Sequence, residues 1–90
     1  MEVEQDDARK IILVVDDVPD NILILKMILG REHLIRTANN GKAALKAATV
    51  EPFPDLILLD VMMPDLDGYE VCQQLQADSR TREIPIIFVT

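Results

Sequence analysis

Three carboxylates and a hydroxyl stand where apolar runs end in this ninety-residue sequence. Asp16 and Asp17 follow Ile11-Ile12-Leu13-Val14-Val15, Asp60 follows Leu56-Ile57-Leu58-Leu59, and Thr90 follows Ile86-Ile87-Phe88-Val89. A short, continuous apolar run fits a strand buried on both faces, as in the middle of a parallel sheet. Ligands of open α/β sheets sit beyond the carboxyl ends of the strands. If the three runs are parallel strands of one sheet, the four side chains meet at one edge. Three carboxylates so close repel one another, and at least one is driven toward its neutral form unless a positive charge sits among them. A hard divalent cation such as Mg²⁺ answers that need, because it prefers oxygen ligands and keeps several waters. No His or Cys joins the cluster, which disfavours zinc. Asp60 is then placed as a nucleophile toward a phosphoryl group, forming an acyl phosphate. The cation would neutralise the phosphoryl oxygens, and the Thr90 hydroxyl would donate to one of them. Each residue also has a plainer reading. Asp16-Asp17 would suit a solvated turn. Asp60 would suit a turn or a helix cap, although the next helix signal comes only after Gly68.

The elements that carry these residues follow from pattern and punctuation. Pro19-Asp20-Asn21 opens a helix that runs Ile22 to Leu29 and stops at Gly30. Only Lys26 is polar between residues 22 and 29, so this helix needs cover from the sheet and from something else besides. A strand over about residues 34–38 contains Arg36 and Thr37, which suggests one polar face and an edge position. Asn39-Asn40-Gly41 is a turn and cap signal. A short helix with Ala44, Leu45 and Ala48 on its apolar stripe follows, and Glu51-Pro52-Phe53-Pro54 ends it. After the Asp60 strand comes a tight loop, Met63-Pro64-Asp65-Leu66-Asp67-Gly68, in which Asp65 and Asp67 read as turn residues. A third helix, Tyr69 to about Ala77, puts Val71, Cys72 and Leu75 on one face. Pro85 leads the last strand. Strand, helix and strand alternate throughout, which is an α/β fold of successive βαβ units.

Composition narrows the function. The length allows one domain, and 49% hydrophobic residues supply a core. No run of about 18 apolar residues is present to span a membrane. Residues 1–9 read as a flexible tail carrying Glu2, Glu4, Asp6 and Asp7, not as a secretory signal. A net charge of −7 with scattered Lys and Arg argues against gripping a nucleic-acid backbone. The single cysteine, Cys72, excludes an internal disulfide and fits a reducing cytoplasm.

Over residues 10–90 the chain resembles the receiver domains of two-component response regulators. The resemblance is carried by Val14-Val15-Asp16-Asp17, by Leu58-Leu59-Asp60-Val61-Met62-Met63-Pro64-Asp65-Leu66-Asp67-Gly68, and by Ile86-Ile87-Phe88-Val89-Thr90. It implies a flavodoxin-like (CheY-like) parallel sheet of strand order 2-1-3-4 with helices on both faces. It implies a phosphoacceptor signalling domain of the bacterial type. Asp60 would take a phosphoryl group from a sensor histidine kinase or phosphotransfer protein in a Mg²⁺-dependent reaction, and a change of conformation would control an output domain. Asp17, Asp60 and the Met62 backbone carbonyl would bind Mg²⁺ directly, and Asp16 would act through a metal-bound water. Thr90 would be the switch hydroxyl, and Pro64 and Gly68 would shape the loop beside the site. The Met62 side chain would face the water that attacks the acyl phosphate. Beyond phosphotransfer onto itself and self-dephosphorylation, no enzyme activity is implied.

The resemblance also implies a departure. The family continues with a helix, a fifth strand bearing a phosphoryl-pairing lysine, and a last helix that covers the first, and none of these is in the sequence. The chain is therefore expected to be incomplete at its C-terminus. The strand at residues 86–89 should be an open edge, and a second copy would associate there or through the first helix. Two rival readings remain. One is an atypical receiver that only binds a partner, with no phosphorylation. The other is a phosphohydrolase of the haloacid dehalogenase type, which needs an acid two residues after its nucleophile, where this sequence has Met62.

Overall fold

In the computed structural model, residues 9–89 are described. The expected acidic tail, apart from Arg9, and the predicted switch residue Thr90 lie outside them. Seven elements alternate along the chain: β1 (Ile11–Val15), α1 (Pro19–Leu29), β2 (Leu34–Ala38), α2 (Gly41–Ala48), β3 (Leu56–Asp60), α3 (Gly68–Ala77) and β4 (Ile86–Val89). The strands form one parallel sheet of order β2-β1-β3-β4. This is the doubly wound arrangement expected, with α1 against one face and α2 and α3 against the other.

The two faces are packed very differently. Leu13, Val15, Ile57 and Leu59 point toward α2 and α3 and close a core with Ala44, Ala48, Val71 and Leu75. Each of the Leu, Ile and Val side chains contributes about 1.5–3 kcal/mol by leaving water. On the opposite face, Ile12 and Val14 of β1 are buried, but Leu56 and Leu58 of β3 are only half-buried. Strand β1 is thus covered on both sides as its sequence implies, whereas β3 is sealed on one side only. No residue of α1 is fully buried. Its Met27 and Ile28 are 70% and 67% exposed, so the cover that its composition calls for is not supplied within residues 9–89.

Local signals explain the element ends. Asp67 caps α3: its side chain accepts from the Glu70 N–H at 2.9 Å, and the Glu70 side chain accepts from the Asp67 N–H at 2.9 Å. Such a cap is worth ~1 kcal/mol, and it makes Asp67 more than the turn residue its loop suggests. Asn40 caps α2 as expected, accepting from the Ala43 N–H at 2.8 Å. Gly30 follows α1 with φ −70°, so the left-handed stop expected of a glycine does not occur. Its lack of a side chain matters for another reason, since a Cβ there would overlap the Lys26 carbonyl oxygen.

Strand β2 lies at an edge, as predicted, but not because it has one polar face. Arg36 and Thr37 are adjacent and so point to opposite faces. Thr37 is exposed, and Arg36 reaches across the end of α2. Its guanidinium donates to the carbonyls of Ala47 (2.8 Å), Val50 (3.1 Å) and Pro52 (2.8 Å). A single cation there satisfies the Ala47 carbonyl at the end of α2 and two carbonyls beyond it, and so fixes the connection into β3. At the other edge β4 pairs with β3, and Ile87 and Phe88 are exposed.

Candidate functional site

The sheet register brings the carboxylates together. Val15 pairs with Ala38 on one side and Leu59 on the other, and Asp60 pairs with Val89. The residues just after Val15 and Leu59 therefore emerge at one level of the carboxyl edge. One carboxylate oxygen from each of Asp16, Asp17 and Asp60 lies within 4.8 Å of the others. The three residues predicted from sequence are thus one cluster. Two of them, Asp16 and Asp60, border a cleft of about 260 Å³ that is also lined by Asn21, Ile24, Leu25 and Val89, on the α1 side of the sheet.

Asp16 is 6% exposed and has both carboxylate oxygens engaged. Oδ1 accepts from the Val18 N–H at 2.9 Å, and Oδ2 accepts from the Asn21 side-chain amide at 3.1 Å. Its own N–H donates to the Ala38 carbonyl at 3.1 Å. Asp60 is half-buried, and its Oδ1 accepts from the Met62 N–H at 3.1 Å. The Met62 side chain is 77% exposed beside it. Behind Asp60, the start of α3 packs directly on the strand end. A Cβ at Gly68 would overlap the Asp60 carbonyl oxygen and come within 2.8 Å of Val61 Cα, and the Gly68 N–H donates to the Val61 carbonyl at 3.0 Å. Glycine is required there by close approach. In the intervening loop Asp65 takes φ 67°, a left-handed conformation that Asp tolerates better than most residues.

The electrostatics are those of crowded like charges. Burial raises the Asp60 pKa above its ordinary 3.8, and the nearby Asp16 and Asp17 carboxylates raise it further against the lowering effect of the Met62 N–H. Asp78 shows the opposite case in the same chain: the Arg80 guanidinium, 2.7 Å away, lowers its pKa to about 2. Among the described residues no Lys or Arg forms a salt bridge with Asp16, Asp17 or Asp60. Three hard oxygen donors, mutually repelling and open to a cleft, fit an oxygen-seeking divalent cation.

Asn21 is the site residue that sequence reasoning missed, because it reads as part of a helix start. The usable signal was positional. In the first turn of a helix that follows a strand end by a short loop, a residue can point back at that strand end. Thr90 is not among the described residues; the register ends with Val89 opposite Asp60.

Comparison with known proteins gives a consistent result. Residues 12–90 match the family model described as the response regulator receiver domain. A curated relative from Vibrio cholerae, named as a probable cyclic di-GMP phosphodiesterase, is 42% identical over 86 residues; the match covers 96% of this chain and 19% of that protein. The chain thus spans about a fifth of that relative's length. The N-terminal domain of a response regulator receiver protein from Methanoculleus marisnigri superposes with a TM-score of 0.86 at 39% identity, covering 90% of this chain and 66% of that one. The receiver domain of a Pseudomonas aeruginosa sensor histidine kinase gives a TM-score of 0.85 at 31% identity, covering 92% and 68%. That protein was crystallised with a magnesium ion coordinated in its active-site cleft.

Proposed function

The chain belongs to the response regulator receiver domain family, and from that premise we propose that Asp60 is its phosphoacceptor, taking a phosphoryl group from a sensor histidine kinase or phosphotransfer protein. The observation that carries this reading is the meeting of Asp16, Asp17 and Asp60 within 4.8 Å at the carboxyl edge of the sheet. A carboxylate oxygen of Asp60 attacks phosphorus, the P–N bond of the phosphohistidine breaks, and the imidazole leaves with the electron pair of that bond. The product on this chain is an acyl phosphate. The open face of the cleft lets a donor approach, and the Met62 N–H holds Asp60 Oδ1, leaving Oδ2 for the attack.

Asp17, Asp60 and the Met62 carbonyl are the proposed direct ligands of Mg²⁺, with Asp16 reaching it through water. The ion supplies positive charge for the phosphoryl oxygens. Thr90, the next residue after Val89, is the proposed switch hydroxyl that meets the phosphoryl group and passes the signal to an output domain. Pro64 and Gly68 keep the loop beside Asp60 in place. The exposed Met62 side chain is the proposed neighbour of the water that attacks the acyl phosphate, and there it would influence the lifetime of the phosphorylated state. Self-dephosphorylation is the only hydrolysis proposed, and the cytoplasm is the compartment where the donors reside. Among the described residues no helix is long and apolar enough to cross a membrane. A second copy of the chain would add through the β4 edge or the outer face of α1, where Ile87, Met27 and Ile28 are exposed. A sedimentation experiment that finds only monomer would overturn that association.

The direct test is intact mass after treatment with acetyl phosphate, with and without Mg²⁺, beside Asp60→Asn. The expected result is a Mg²⁺-dependent gain of one phosphoryl group that Asp60→Asn abolishes. No gain in this chain or in one extended past Thr90 would overturn the phosphoacceptor reading in favour of a module that only binds a partner.

A further inference from the structure

Asp16 is the most deeply placed of the three carboxylates, and what holds it comes from α1. Its Oδ1 accepts from the Val18 N–H, and its Oδ2 accepts from the Asn21 side-chain amide. Helix α1 has no side-chain cap of its own: Val18 stands at its N-cap without a side-chain hydrogen bond. Asp16 therefore does two things at once. It tethers the first turn of α1, and it presents a carboxylate to the cation cluster. These roles are linked through one rotatable group. The Val18 N–H holds Oδ1, and among the described residues the Asn21 amide is the hydrogen-bond donor that holds Oδ2. Without the amide, repulsion from Asp17 and Asp60 would turn Oδ2 away from the cleft, since nothing positive among the described residues opposes it.

We propose that Asn21 is a positioning residue of the cation site: its amide holds the Asp16 carboxylate in the orientation a bound divalent ion or its water requires. The proposal rests on the Mg²⁺ site of the preceding section. Asn21 does not ligate the ion. It donates one hydrogen bond to a group that faces the ion, and such partners typically govern affinity by about 10- to 100-fold. Because the amide belongs to α1, the same bond makes the docking of that helix respond to what occupies the cleft. The helix is suited to this, since none of its residues is buried.

The test compares three chains by calorimetric Mg²⁺ titration and thermal unfolding. Asn21→Leu keeps the side-chain volume and removes the donor. Ile22→Ala removes a half-buried contact of α1 and leaves the Asp16 bonds in place. The expected result is a Kd for Mg²⁺ raised about tenfold in Asn21→Leu and unchanged within twofold in Ile22→Ala, although both unfold at lower temperature. In the unsubstituted chain, the Asn21 side-chain amide signal in a nitrogen-15 NMR spectrum is expected to shift on adding Mg²⁺. An Asn21→Leu chain that folds and binds Mg²⁺ with the original Kd would overturn the proposal and leave the cation site standing. Equal weakening in Ile22→Ala would also overturn it, by showing that any loosening of α1 suffices. A flat titration in the unsubstituted chain would overturn the cation site itself, and the proposal with it.

Discussion

The two faces of the sheet are built from nearly the same residues and come to opposite ends. Toward α2 and α3, Leu13, Ile57 and Leu59 have no exposed surface at all. On the face that α1 shares, Leu56 and Leu58 of β3 are half-buried, and the helix, which packs on β1 and β2, leaves Leu23, Ile24, Met27 and Ile28 more than half exposed. The difference lies in the helices. Helices α2 and α3 present small residues, Ala44 and Ala48, and a Val71/Leu75 pair that fit between the strands and against each other. Helix α1 has apolar residues almost all round, so any orientation leaves some of them outside. The sealed face supplies stability, and the open face holds the cleft with Asp16 and Asp60. A receiver needs both: a rigid base, and a surface whose free energy is small enough for a bound ion or phosphoryl group to shift it.

Substitution can break this contrast. The largest effect is expected on the sealed face, where Leu13→Ala or Leu59→Ala should cost about 2–5 kcal/mol by leaving a cavity. Ile28→Ala on the outer face of α1 should stay within about 0.5 kcal/mol. Urea unfolding of the three chains measures the gap, and comparable losses on the two faces would erase the distinction.

The next effect is expected on the open face. If the cluster is the proposed Mg²⁺ site, the ion binds only the assembled cluster, and at 100 times its Kd it should stabilise the chain by about 2.7 kcal/mol. Thermal unfolding with Mg²⁺ and then with a chelator reads this directly, and in Asp60→Asn most of the gain should disappear. A smaller effect, ~1 kcal/mol, is expected from Asp67→Ala, which removes the α3 cap on the sealed side. It should lower stability without altering Mg²⁺ affinity, because α3 meets the site through the Gly68 backbone rather than through its cap.

The smallest effect concerns charge. The Asp60 pKa is raised in the folded chain. A raised acid stabilises folding while protonated, below its ordinary 3.8, and loses that contribution as pH climbs through its raised value. In chelator at neutral pH, Asp60→Asn should therefore be the more stable chain, with the difference vanishing toward acid. Unfolding midpoints measured across that range check the sign.

Much of this was legible in the chain itself. Unbroken apolar runs, two ending in aspartate and one in Thr90, locate three strands and the carboxyl edge where the carboxylates meet, because a parallel sheet aligns its carboxyl ends whatever the loops do. Asn40 and the Gly41 turn locate the start of α2 by local hydrogen bonding alone. The edge position of β2 was also readable, though its cause was not. Arg36 spends its charge on three carbonyls that are far away in sequence and near only after folding.

Other features were decided by tertiary structure. The requirement for glycine at Gly68 comes from the Asp60 carbonyl pressing on it, and no local pattern announces that contact. Asp67 became a cap because α3 starts a residue earlier than its hydrophobic stripe suggests. Asn21 became part of the site because the first turn of α1 folds back over the end of β1. Periodicity and punctuation are short-range properties, so the sequence by itself determined the elements, their order and the three carboxylates. The side chain that orients one of those carboxylates, and the half of the sheet left open, depend on distances between elements, which only packing sets.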